Sequence, residues 1–172
     1  MTQIRRQLTL FVSEENEILE SIRAAFNPAQ HQLISAHVTL CREDEIEPIE
    51  KVLANIQSLS LASPVRITFG GIQRTPDGKG VFLPSKGENR GFHQLRRAVL
   101  RGVCQLPSYH EPHITLMHPR NSTCTDERFR RLTQYELPAV LHFNKICLIE
   151  QVAGVKWNTI GEYPIADKKT TA

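Results

Sequence analysis

The sequence predicts an α+β protein rich in antiparallel pairing, with two similar sheets that face one cleft. Three observations predict it. Strand-like and helix-like stretches interleave in the order β-α-β-α-β-β-α-β-α-β-β, which is not the strict β-α alternation of a parallel sheet. Connections are short, and one carries the strong turn signal Pro76-Asp77-Gly78-Lys79-Gly80, as hairpins require. One strand pattern is written twice: His37-Val38-Thr39-Leu40 and His113-Ile114-Thr115-Leu116, 76 positions apart.

Gln7 to Val12 is the first strand. Ser13 is a helix N-cap, with Glu14, Glu15 and Glu17 favourable near the positive end of the helix. Ile18, Ile22, Ala25 and Phe26 recur at helical spacing, so a helix covers 14 to 26, and Asn27-Pro28 ends it. The first His-x-Thr strand lies near 34 to 41. Arg42 to Glu45 leads into a second helix, whose apolar stripe is Ile49, Val52, Leu53 and Ile56. Residues 65–69 alternate as a strand, and with Val81-Phe82-Leu83 they predict a hairpin over 65 to 83. Phe92, Leu95, Val99 and Leu100 mark a third helix, with Arg96, Arg97 and Arg101 as its solvated face. Pro107-Ser108-Tyr109-His110 breaks the chain before the second His-x-Thr strand. A short helix over 126 to 135 follows, then strands at 140–143 and 146–149 that form an edge or hairpin. A closing strand at 154–160 precedes a tail, disordered from Asp167.

Length and composition set the bounds. A chain of 172 residues with 40% hydrophobic and 23% charged residues suits one soluble domain over residues 1–172. The net charge of +3 suits an anionic ligand, whereas a dedicated duplex-DNA binder is more basic and more clustered. Cys41, Cys104, Cys124 and Cys147 form no C-x-x-C pair, which indicates a reduced, cytoplasmic chain rather than a disulfide framework. Arg5-Arg6 is followed by no long apolar run, so neither a signal peptide nor a membrane span is expected.

The repeated motif carries the chemistry. In a chain with seven histidines, chance placement gives about 0.05 His-x-Thr-Leu matches, so two are hard to assign to accident. Alternate strand residues point to opposite faces. His and Thr therefore share one face in each stretch, and Val38/Leu40 or Ile114/Leu116 share the other. Acid–base catalysis needs one group that takes a proton and one that gives it. Two imidazoles, which titrate near neutrality, suit those roles. Two threonine hydroxyls beside them can donate to oxygens on which charge develops.

These motifs resemble the paired His-x-Thr/Ser motifs of the two-histidine (2H) phosphoesterase superfamily, which includes 2′-5′ RNA ligase-like proteins and cyclic nucleotide phosphodiesterases. The resemblance covers most of the chain. It implies a bilobal, pseudo-twofold fold of two interleaved lobes, one motif per lobe, with helices outside and no metal or other cofactor. It also implies a substrate that is an RNA with a cyclic-phosphate end or a small cyclic nucleotide. His37, Thr39, His113 and Thr115 are the implied catalytic residues; the family suggests His37 as acid and His113 as base, a direction the sequence leaves open. After the second motif, Met117-His118-Pro119-Arg120 departs from the family's usual trailing arginine.

Other residues are candidates on their chemistry. Arg42 could steer the phosphate, and Tyr109 could stack on a base, as could Phe82 and Trp157. Cys41 is expected to be buried rather than nucleophilic. His110, His113 and His118, with Cys104 nearby, match no standard zinc spacing. The leading expectation is a monomeric, metal-independent phosphodiesterase, with ligation as its reverse. The alternative is a non-catalytic RNA- or nucleotide-binding module.

Overall fold

The structure, a computed structural model, describes residues 3–61, 63–103 and 109–165. Cys104, Pro107, Ser108 and the tail from Asp167 lie outside them.

The chain begins with β1 (Ile4–Phe11), which runs through a 3-10 turn into α1 (Glu17–Phe26). Ser13 caps that turn by accepting from the Glu15 N–H, 3.4 Å away. Asn27-Pro28 ends α1 but also starts α2 (Pro28–Leu33), a helix the sequence reading missed. Proline is well placed at a first helical position, where its missing N–H would have no partner anyway. The first motif strand is β2 (His37–Cys41), and α3 (Ile49–Gln57) follows it. Then come β3 (Val65–Thr68), β4 (Gln73–Arg74), β5 (Val81–Pro84) and α4 (Arg90–Val99). The second motif strand is β6 (His113–Met117), followed by α5 (Asp126–Leu132), β7 (Val140–Phe143), β8 (Lys145–Val152) and β9 (Asn158–Pro164).

The fold is α+β with two antiparallel sheets, as expected, but the sheets are unequal. One has seven strands in the order β4-β5-β6-β2-β1-β8-β9, and the other pairs β3 with β7. Both motif strands are neighbours at the centre of the larger sheet. The expected 65–83 hairpin is replaced: β4 pairs with β5, and β3 meets that region only through a bridge from Phe69 to Ser85. Alternation decides the true partner of β3. Val65 and Ile67 are buried opposite Phe143 and Leu141, while Arg66 faces His142 at the surface. Likewise β7 and β8 are not a hairpin. Ile146, Cys147, Leu148 and Ile149 are all buried, so β8 needs cover on both faces and lies between β1 and β9.

One apolar cluster joins the sheet to its helices: Leu19, Ile22 and Phe26 of α1, Val52 and Ile56 of α3, and Phe92, Leu95 and Val99 of α4. It also contains Val38, Leu40, Ile114 and Leu116, so the motif strands are anchored by their aliphatic face. Gly80 permits the close approach of the β4–β5 turn to the end of β6. A Cβ there would lie 2.8 Å from Pro119 Cδ and 2.9 Å from the Met117 carbonyl oxygen. Among the described residues no helix is long and apolar enough to cross a membrane.

Candidate active site

The two motif strands have the same burial pattern. His and Thr are half-buried, while the residue between them, the leucine and the fifth residue are buried. The strands run antiparallel with Val38 registered on Ile114. Extending that register by one residue sets His37 opposite Thr115 and Thr39 opposite His113, all on one face. His37 and His113 are then diagonal neighbours, a relation that spans roughly 7–8 Å between strands. Side chains that project from diagonal positions on one face can reach a single phosphate from two sides.

Each imidazole is held in the same way. His37 Nδ1 lies 2.7 Å from the Ser35 carbonyl oxygen, and His113 Nδ1 lies 3.1 Å from that of Glu111. A carbonyl only accepts, so Nδ1 carries the proton in both rings and Nε2 is left for chemistry. An aromatic ring packs edge-on against each. Phe11 lies 6.1 Å from His37 and Phe82 lies 5.8 Å from His113, between centroids. Phe82 thus packs on a catalytic candidate, and the sequence reading missed Phe11, its counterpart.

Electrostatics distinguish His37. Burial pushes its pKa down from 6.5 to about 4, against the opposing effect of the Ser35 carbonyl. Nearby charge on Arg23, His113 and His118 adds to the depression. Unliganded, His37 is therefore a neutral imidazole with an open Nε2, which is the base form. That runs against the acid role suggested for it by resemblance. His110 is held down to about 4 as well, first by burial, with Thr39 opposing and His113, Arg96 and Arg42 contributing. Its Nε2–H donates to the Thr39 carbonyl at 3.0 Å, and its ring lies 5.8 Å from His113. His110 is thus tied to the first motif from the approach to the second.

The remaining candidates occupy the surroundings. Arg42 is exposed at the end of β2, its backbone N–H donating to Glu45 Oε2 at 2.9 Å. Tyr109 is 79% exposed, stacks on His93 at 5.5 Å and donates its hydroxyl to Glu111, the residue whose carbonyl holds His113. Trp157 packs with Phe11 against Ile34, Cys147 and Ile149, beneath the Arg5 guanidinium at 5.5 Å. Cys41 is buried, as expected. His118 Nδ1 accepts from the Arg120 N–H at 3.1 Å. Among the described residues no three His, Cys, Asp or Glu converge to hold a metal ion.

Arg96 corrects the reading of its helix. Arg97 and Arg101 are exposed, but Arg96 is 3% exposed and ion-paired with Glu45. Arg23 on α1 is 1% exposed and paired with Glu20 at 3.3 Å. The signal was present in the spacing. Leu19, Ile22, Arg23 and Phe26 repeat the pattern of Phe92, Leu95, Arg96 and Val99, in which each arginine falls inside an apolar stripe.

Solved structures share this architecture. Escherichia coli LigT complexed with phosphate aligns over 95% of this chain and 98% of its own, with a TM-score of 0.63 and 15% identity. LigT complexed with 3′-AMP aligns over 97% and 100%, also with a TM-score of 0.63 and 15% identity. The protein TT0787 of Thermus thermophilus aligns over 95% and 99%, with a TM-score of 0.58 and 18% identity. No curated protein matches the chain. The model of the 2′-5′ RNA ligase superfamily matches residues 11–154, and with that span, which holds both His-x-Thr strands, the chain belongs to this family.

Proposed function

We propose that this protein is a metal-independent phosphodiesterase that opens 2′,3′-cyclic phosphates, at an RNA end or in a small nucleotide, by histidine acid–base catalysis. The observation that carries the reading is the pair of imidazoles on adjacent strands. Both are pinned through Nδ1 to the carbonyl two residues upstream, and each has a threonine opposite.

In the hydrolytic direction the neutral His37 takes a proton from water through Nε2 as the oxygen attacks phosphorus. His113, which enters the step as the imidazolium with protons on both nitrogens, gives the one on Nε2 to the departing 3′-oxygen, the P–O bond breaks, and a 2′-phosphate is left. Thr39 and Thr115 hydroxyls donate to the non-bridging oxygens as charge grows there. Tyr109 supplies an exposed ring for the base, and Arg42 supplies positive charge beside the groove. The same groups run the step backwards as 2′-5′ ligation, by microscopic reversibility.

The test is turnover of 2′,3′-cyclic AMP with a chelator present. His37→Ala and His113→Ala are each expected to lose about 10²–10⁴-fold in rate, and near-normal turnover by either rejects the assignment. A wild-type protein that binds 2′-AMP but does not turn over the cyclic substrate is a binding module instead.

A further inference from the structure

The two motif strands share one registered pair, Val38 with Ile114. A single pair is a weak ruler for a gap that must fit one phosphate. Other contacts cross this seam. On α1, Glu20 accepts from the Ala36 N–H, immediately before His37, while Arg23 Nε donates to the Thr115 carbonyl at 3.2 Å. Glu20 and Arg23 bond to each other on one turn of helix, and His31 Nδ1 lies 3.0 Å from the same carboxylate. One helical turn therefore grips both motif strands. The second half repeats the device with its partners exchanged. Arg96 of α4 donates to the Leu40 carbonyl of the first motif at 2.9 Å and pairs with Glu45, which holds the Arg42 N–H.

We propose that the buried Arg23, paired with the half-buried Glu20, is a positioning clamp that sets the gap between His37 and His113, with Arg96–Glu45 as its counterpart. Each arginine comes from one half and holds a motif carbonyl of the other, so neither motif can shift without breaking a charge-assisted bond from a buried arginine. Such bonds are short and directional, and a displacement of about 1 Å between reacting groups can cost 10²-fold in rate. Arg23 also belongs to the charge environment of His37, together with His113 from β6 and His118 beyond it. The clamp thus acts on both the position and the protonation of that imidazole. The consequence for turnover rests on the function proposed above.

Arg23→Met, Arg23→Lys and the exposed-site control Arg97→Met test it, with kcat and KM on 2′,3′-cyclic AMP and NMR titration of the histidine rings. Arg23→Met is expected to lower kcat about tenfold or more, leave KM within about twofold, and raise the His37 titration midpoint. Arg23→Lys is expected to restore the midpoint and part of kcat, and Arg97→Met to match wild type. If Arg23→Met does not fold, Arg23→Lys and Glu20→Gln carry the test, both with kcat lowered at near-constant KM. A folded Arg23→Met with wild-type kcat overturns the clamp. So does a loss of kcat with an unmoved His37 midpoint, which marks a structural role alone. A wild-type protein inactive on cyclic phosphates counts against the proposed function, and the titration of His37 in Arg23→Met still decides whether the clamp governs that ring.

Discussion

If His37 accepts the proton, the rate must follow its deprotonated form. Its pKa of about 4 lies three units below pH 7, and each unit is a tenfold change. About one molecule in a thousand then carries a charged His37 at neutrality. The parameter to follow is kcat/KM, which reports groups in the free enzyme. With 2′,3′-cyclic UMP well below KM, the acidic limb of the profile should have its midpoint near 4. An unperturbed imidazole would place it near 6.5, so the two cases differ by about tenfold in relative rate at pH 5.5. The substrate diester stays a monoanion throughout and uracil takes up no proton in this range, so the substrate adds no limb there. NMR titration of the His37 ring gives the same midpoint without substrate. An acidic limb at 6.5 would refute the burial argument. A rate that instead falls tenfold per unit from pH 5 upward would return His37 to the acid role.

Further outcomes follow from the same geometry. Leu40→Ala removes a side chain buried to 0% in the shared core and should cost about 2–5 kcal/mol in urea unfolding. Thr115→Val, on the open face, should change stability by about 0.5 kcal/mol or less but lower kcat by about 10²-fold through the lost donor. His37 and His110 are both held near 4 when folded, so the unfolded chain binds more protons between about 4 and 6.5. Stability should therefore be fully present above 6.5 and fall as pH drops through that window, with a shallower slope of unfolding midpoint against pH in His110→Asn. Tyr109→Ala removes an exposed ring that stacks on His93 and bonds to Glu111, the residue whose carbonyl holds His113. It should raise KM roughly tenfold with kcat unchanged, the size of one lost base stack; an unchanged KM would show that the base lies elsewhere.

Much of the catalytic face was legible in the chain itself. A strand alternates its faces whatever its neighbours are, so His-x-Thr with aliphatics between them already separates a working face from a core face. Helices α1, α3 and α4 were legible for the same local reason, as stripes at helical spacing. Strand partnership was not. Although β3 and β5 are close in sequence, β3 pairs with β7, because pairing depends on which buried faces meet in space. Arg96 shows the limit for single residues. Its place in the stripe of α4 was visible, but only the approach of Glu45 and the Leu40 carbonyl makes burial of that charge tolerable.

Which atoms can do chemistry was thus set by the chain order, since residue identity and strand period are local properties. Which atoms confront one another was set by folding: the adjacency of β2 and β6, the crossed arginines and the depressed pKa of His37. These depend on distances between residues far apart in the chain, and burial and Coulomb energies are functions of those distances rather than of sequence order.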